Sequence, residues 1–278
     1  MQMEAYRLNT DSIPYISFPA LENVDWLCHA CSTRLGGVST GIHSTMNLGF
    51  QNGDDPEAVY ENYNRICSTI GVEPESVVHA KQTHGDKIRI VTTGDRGKGY
   101  NSERDYDEID ALVTNESGVT LTILTADCVP VFLVDPVNKA IGLAHSGWRG
   151  TVQRIAAKTV RCMKETYGSN PADMIAVTGP CICRDCYEVG EEVAENFQKE
   201  FGDTVFQKIS YTKKAPVASC KPHIDLSEAI VQSLLEEGLK ETLITQSRLC
   251  TSCNSELLFS HRVTQGKRGT LASFMAIR

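Results

Sequence analysis

The stretch VTLTILTADCVPVFLVDPVNKAIGLAHSGWRG, residues 119–150, decides the fold. Val119 to Thr125, Val131 to Val134 and Ala140 to Ala144 are rich in β-branched and aliphatic residues and read as strands. Asp135-Pro136-Val137-Asn138 supplies turn chemistry between the last two, so they form a hairpin. The apolar run then breaks at Gly147-Trp148-Arg149-Gly150, and a helix pattern takes over from Thr151 through Ile155, Thr159 and Met163 to Gly168. Several strands followed by a helix, rather than strict alternation, predict an α+β layered fold over a doubly wound parallel sheet.

Working outward, further strands are expected at Val77 to Ala80, Lys87 to Val91, Ala111 to Thr114, Ile175 to Thr178 and Thr270 to Ile277. Asp55-Pro56 reads as a helix cap followed by an N1 proline, with Val59, Tyr63, Ile66 and Ile70 on one face and Gly71 as the stop. A third helix carries Val189, Val193, Phe197 and Phe201 and should stop at Gly202. A fourth opens with Asp225 and Glu228 in capping-box spacing, buries Ile230 and Leu234, and ends near Gly238. No repeat, low-complexity tract or linker divides the chain, so residues 1–278 are read as one domain.

Composition narrows the function. With 278 residues and 41% hydrophobic content, the chain can bury a core without covalent staples. A net charge of −8 argues against a polyanionic nucleic-acid partner. The absence of an export-type leader or a membrane-length apolar run predicts a cytoplasmic protein with no membrane partner. Eleven cysteines, an odd number in a long chain, are expected mostly as buried free thiols. Three pairs, Cys28/Cys31, Cys183/Cys186 and Cys250/Cys253, have CxxC spacing; two of them brought together by the fold could hold a structural metal, and any of them could exchange thiols.

Three segments place a metal-type ligand just after an expected strand: Gln82-Thr83-His84-Gly85, Asp127-Cys128-Val129-Pro130 and His145-Ser146-Gly147-Trp148. Strand ends hold side chains rigidly over a cleft. Packed or hydrogen-bonded residues would look the same in a sequence. Two imidazoles and a thiolate suit zinc, and three protein ligands leave a position for chemistry. Asp127, next to Cys128, is a candidate proton carrier or equally a turn carboxylate. Arg149 at a glycine-bracketed helix start is a candidate anion fork, as is Arg34 in Ser32-Thr33-Arg34-Leu35-Gly36-Gly37; Asn47, Gln82 and Arg262 are candidate substrate contacts. A Cys128–His145 nucleophile–base pair is an alternative use of the same residues.

Taken in order, Ser32 to Ser39, Asn47-Leu48-Gly49, Gly53-Asp54-Asp55-Pro56, Gln82-Thr83-His84-Gly85, Asp110 to Thr114, Thr125 to Pro130, His145 to Thr151, Gly179-Pro180, Tyr187-Glu188-Val189, Cys250-Thr251 and Phe259 to Arg262 resemble the bacterial laccase-domain family. That family is also called multicopper polyphenol oxidase, peptidoglycan-editing factor or zinc-dependent purine nucleoside phosphorylase. Ser146 stands where the family usually has Ala, and His261 where it often has Tyr. The resemblance implies a layered α/β/β/α single domain with mixed sheets and an internal structural duplication. It also implies zinc at His84, Cys128 and His145, and phosphorolysis of adenosine, inosine, guanosine and methylthioadenosine together with adenosine deamination. A related branch edits a cell-wall precursor nucleotide. Copper is the less favoured cofactor, because the chain has only seven histidines and no His-x-His pair. The expected partners are small molecules, a purine nucleoside and phosphate; the oligomeric state is not legible.

Overall fold

A computed structural model describes residues 4–212 and 221–278. Its strands are Arg7–Asn9 (β1), Tyr15–Ser17 (β2), Leu27–Ser32 (β3), Val77–His79 (β4), Ile88–Ile90 (β5), Ala111–Thr114 (β6), Thr120–Thr125 (β7), Val129–Asp135 (β8), Ala140–Ser146 (β9), Ile175–Thr178 (β10), Ser210–Thr212 (β11), Pro222–Ile224 (β12), Ile244–Gln246 (β13) and Leu271–Ile277 (β14). One six-stranded sheet has the order β1-β2-β3-β14-β7-β4 and the other β13-β10-β8-β9-β6-β5; β11 and β12 form a separate pair. Both large sheets are mixed. Each begins at one edge with a parallel pair, β4–β7 or β5–β6, and continues through antiparallel neighbours, until the second sheet ends on the parallel pair β10–β13. The two sheets thus share the order of pairing over five strands and differ at the sixth.

Period-two alternation explains the layers. In β8, Phe132 and Val134 face a core shared with Leu121, Ile123 and Met275 of the first sheet. Val129, Val131 and Leu133 face the opposite way, onto Val160 and Met163 of helix Ile155–Tyr167 and onto Phe197 and Ile230 of helices Glu191–Ile209 and Leu226–Glu236. The outer face of the first sheet, through Ala30 and Phe274, packs on Val59, Tyr63 and Ile66 of helix Pro56–Ile70. The order is therefore helix, sheet, sheet, helices. No helix among the described residues is long and apolar enough to cross a membrane.

Local chemistry sets the element ends. The Asp55 side chain accepts the Glu57 N–H, and Gly71, at φ 76°, receives the helix end in the left-handed conformation that costs glycine little. Asp225 caps the fourth helix by accepting the Glu228 N–H at 2.9 Å. In the β8–β9 hairpin, Asp135 Oδ1 accepts from Val137 N at 2.9 Å and Asn138 N at 3.1 Å, which fixes the turn. Two helices differ from the sequence reading. The second is interrupted: Trp148–Val152 and Ile155–Tyr167 are separated at Arg154, whose φ is 61° and whose guanidinium pairs with Glu200 and Glu236. The third starts after Val189, whose N–H donates to Pro222 O in a loop, and resumes past Gly202 to Ile209. Strand β3, Leu27–Ser32, was not expected at all.

Candidate metal centre and active site

The two sheets bring the candidate ligands together at strand ends. His84 lies in the loop between β4 and β5, Cys128 in the turn between β7 and β8, and His145 near the end of β9, where it pairs with Pro130 across the β8–β9 ladder. Their ligand atoms all lie within 4.8 Å of one another, and the two imidazole rings are 4.8 Å apart at 75°. Asp110, at the head of β6, organises the group. Its carboxylate accepts the N–H groups of Thr83, His84 and Gly85 at 2.9–3.0 Å, holding the loop in which His84 has φ 63°. Its Oδ1 also accepts His145 Nδ1–H at 2.8 Å. That bond leaves His145 Nε2 for the Cys128 side.

The electrostatics follow from this packing. Burial opposes ionisation of Asp110, but the His145 hydrogen bond and the backbone donors hold its carboxyl down at about 2. Burial would likewise push the Cys128 thiol up; the His145 and His84 imidazoles instead hold it down at about 6. His145 is raised to about 9, because the negative charges of Cys128 and Asp110 outweigh its burial. The donor set fits a metal ion: two imidazoles and a readily ionised thiol suit a borderline-soft divalent cation. Gly147 keeps the space, since a Cβ there would lie 2.9 Å from His84 Cδ2 and 3.0 Å from Cys128 Sγ.

These residues form part of the lining of a cavity of about 600 Å³. Asp127, Gln82, Arg149 and Arg262 also line it. Asp127 is at φ 90° and its oxygens are engaged, Oδ1 by Thr251 Oγ1 at 2.6 Å and Oδ2 by Arg262 N at 2.7 Å. The Gln82 amide pairs with both backbone groups of Leu124, at 2.7 and 2.8 Å, in place of a strand neighbour. Arg149, an exposed residue, places its guanidinium over the Trp148 ring at 4.3 Å. Arg262 donates to the carbonyls of Cys186 and Glu188.

Arg34 and Asn47, also expected to contact substrate, are not among the residues that line this cavity. The Arg34 guanidinium donates to Ser44 O and Ser255 O and lies over Phe259, so its donors serve loop closure. Asn47 bonds Gly49, Asn52, Asp54 and Thr270, shaping the loop of which Gly49 to Asn52 line the cavity. Cys28 and Cys31, three apart on β3, point to opposite faces; Cys28 donates to Ile70 O and Cys31 meets Ser273, so they cannot share a metal.

Sequence reasoning gave no site role to Asp110, Arg104 or Arg268. Only the position of Asp110 at the head of a strand hinted at one. Arg268 sits in the cavity wall with a buried Nε that has no partner among the described residues, and burial lowers its pKa.

A family model described as "Multi-copper polyphenol oxidoreductase laccase" matches residues 28–278, and the chain belongs to that family. A Bacillus subtilis protein named purine nucleoside phosphorylase YlmD is 36% identical over 251 residues, covering 89% of this chain and 87% of the relative. A protein named adenosine deaminase RL5, from an unknown prokaryotic organism, is 34% identical, covering 84% of this chain and 87% of its own length. The crystal structure of the Bacillus licheniformis hypothetical protein YfiH superposes with a TM-score of 0.89 at 32% identity, covering 98% of this chain and 99% of that one.

Proposed function

We propose that this laccase-like family member is a zinc-dependent purine nucleoside phosphorylase that also deaminates adenosine. Its substrates are adenosine, inosine, guanosine and methylthioadenosine, each reacting with phosphate to give the free base and a pentose 1-phosphate. One observation carries the reading: a three-donor metal group, open on one side, faces a cavity of about 600 Å³ whose walls combine aromatic rings with guanidinium groups. The relatives named for phosphorolysis and deamination support it.

Within the cavity, Phe50, Trp148 and Tyr187 offer faces for a purine ring. Arg149 and Arg268 provide cationic donors for phosphate, the second with a buried Nε that lacks a partner among the described residues. As a phosphate oxygen forms its bond to C1′, the bond from C1′ to the purine nitrogen breaks, and its electron pair leaves with the base, which takes up a proton. Positioning both reactants removes the entropic cost of their encounter. Asp110 holds His145 in one tautomer and orientation throughout. His84, Cys128 and His145 would hold the zinc, which would supply Lewis acidity. The group contains only two histidines, which favours zinc over a multicopper centre.

The depressed Cys128 thiol beside a cationic His145 favours one second reading, a Cys–His hydrolase or amidase-type editing enzyme acting on a peptidoglycan-precursor nucleotide. The test is to incubate metal-quantified protein with adenosine, with and without phosphate, and to separate the products by chromatography. Adenine that forms only with phosphate establishes phosphorolysis, and inosine establishes deamination. Neither product, with an acyl adduct on Cys128 after metal-loaded protein is offered a peptidoglycan-precursor nucleotide, would replace this assignment by the hydrolase.

A further inference from the structure

The loops 179–190 and 247–260 contain neither a regular strand nor a helix, yet they meet side by side. They are joined by Cys181 N–H to Leu249 O at 3.2 Å and Thr251 N–H to Cys181 O at 3.0 Å. At this junction the sulfurs of Cys183, Cys186, Cys250 and Cys253 all lie within 4.8 Å of one another, with Cys186 and Cys253 at 3.5 Å. The pairs are 67 residues apart in sequence. Each turns its chain the same way: Tyr187 N–H donates to Cys183 O at 3.0 Å, and Asn254 N–H donates to Cys250 O at 3.1 Å.

We propose that these four cysteines form a second metal site, a closed tetrathiolate that holds one zinc ion as a structural cross-link. Four sulfurs around zinc at about 2.3 Å form a tetrahedron with edges of roughly 3.8 Å, a small adjustment from the separations seen. Two backbone N–H groups, of Cys183 and Cys253, already point at Cys250 Sγ at 3.2 and 3.3 Å. Donors of that kind suit a thiolate better than a neutral thiol, a weak acceptor. Loading is not redox chemistry: zinc(II) replaces four thiol protons, which leave to solvent, and no electrons move.

The location gives the cross-link its purpose. Arg262 donates to Cys186 O, Ile182 N–H donates to Asp127 O at 3.0 Å, and Thr251 Oγ1 donates to Asp127 Oδ1. The site therefore fixes the loops that hold Asp127, beside Cys128, and Tyr187 in the cavity wall. None of the four cysteines lines the cavity itself, and four protein donors leave no coordination position open. A structural role follows from both facts.

The test is elemental analysis of the full chain, purified with reductant and without chelator, for wild type, Cys128→Ala, Cys253→Ser and the double variant. Wild type should carry two zinc equivalents, each single variant one, and the double variant none. Because Cys128→Ala leaves all four cysteines in place, it reports on this site even if Cys253→Ser fails to fold. In cobalt-substituted Cys128→Ala, intense sulfur-to-metal charge transfer with a tetrahedral visible spectrum is expected. Zinc-free Cys128→Ala after incubation with zinc and reductant would overturn the proposal, as would iron in place of zinc, or a Cys186–Cys253 disulfide seen by mass spectrometry in freshly purified protein. None of these readouts uses catalytic activity, so failure here and failure of the phosphorylase assignment are separate results.

Discussion

The two cysteine-bearing clusters meet at Asp127, and they differ in what surrounds them. His84, Cys128 and His145 stand at strand ends beside a cavity, with Asp110 bracing the loop around one ligand and the ring of another. Cys183, Cys186, Cys250 and Cys253 sit on irregular loops outside the cavity lining and complete a shell of donors among themselves. Both sets contain sulfur and both are preorganised by backbone N–H groups. Ligand number and adjacent space, rather than residue type, separate a place for reaction from a place for bracing.

The sharpest way to break this contrast is a crossed pair of substitutions. Cys128→Ala should bring phosphorolysis to background while the far-ultraviolet circular dichroism and Tm stay near those of the wild type. Cys253→Ser should have the reverse emphasis, with a loss of about 3 kcal/mol that lowers Tm by roughly 5–10 °C. Equal Tm losses in the two variants would erase the distinction. Next in size is Gly147→Ala, whose new methyl group would press on two ligands of the reactive cluster alone. Zinc affinity of that cluster should fall by roughly 10–100-fold, the range for disturbed ligand support, with the tetrathiolate ion retained in a competition titration. Asp110→Asn should weaken the same ion by a similar or smaller factor, because His145 loses its anionic partner while the loop keeps some of its acceptors. Unchanged affinity in a chelator titration would show that Asp110 does not support the ligands.

The smallest effect concerns a histidine that belongs to neither cluster. His79 is buried against Tyr63, its Nε2 has no partner among the described residues, and burial lowers its pKa from 6.5 to about 3. Below pH 6.5 the unfolded chain takes up a proton that the native chain refuses, so stability falls as pH drops from 6.5 toward 3. Between pH 6.5 and 5.5 this costs about 1 kcal/mol. His29, likewise buried and held down at about 4, adds a similar loss over the same window, so urea unfolding at the two pH values should show their sum, and His79→Gln should reduce it by about 1 kcal/mol. An unaltered slope in the variant would move the acid sensitivity to another group.

Sequence and structure agree most closely where local chemistry was sufficient. Helix Pro56–Ile70 needs only Asp55, Pro56 and Gly71 to define its ends, and the β8–β9 hairpin needs only its Asp135 turn. Strand β3 escaped notice because Cys28, His29, Ala30 and Ser32 have little strand preference; its neighbours β2 and β14 make it a strand. Arg154 stops a helix through an αL conformation held by ion pairs to remote Glu200 and Glu236, partners invisible to periodicity. In the candidate site, spacing could nominate His84, Cys128 and His145 one at a time. Their convergence depends on the β6–β9 and β8–β9 registers, which spacing does not encode, so residue chemistry offered a shared site as a candidate and the resemblance implied it. A glycine-rich loop with an arginine reads as anion-binding in the sequence, whereas the Arg34 guanidinium donates to the carbonyls of Ser44 and Ser255, partners that spacing does not reveal.

The place of β14 bears on how such a molecule is assembled. Leu271–Ile277 lies between β3 and β7, so the centre of one sheet waits on residues more than two hundred positions beyond the strand beside it. Until that late segment arrives, β3 and β7 expose unpaired edges, and the closing loop is long, which favours slow maturation and self-association of incomplete chains. A truncation before Leu271 would thus remove a central beam of the sheet rather than trim a tail.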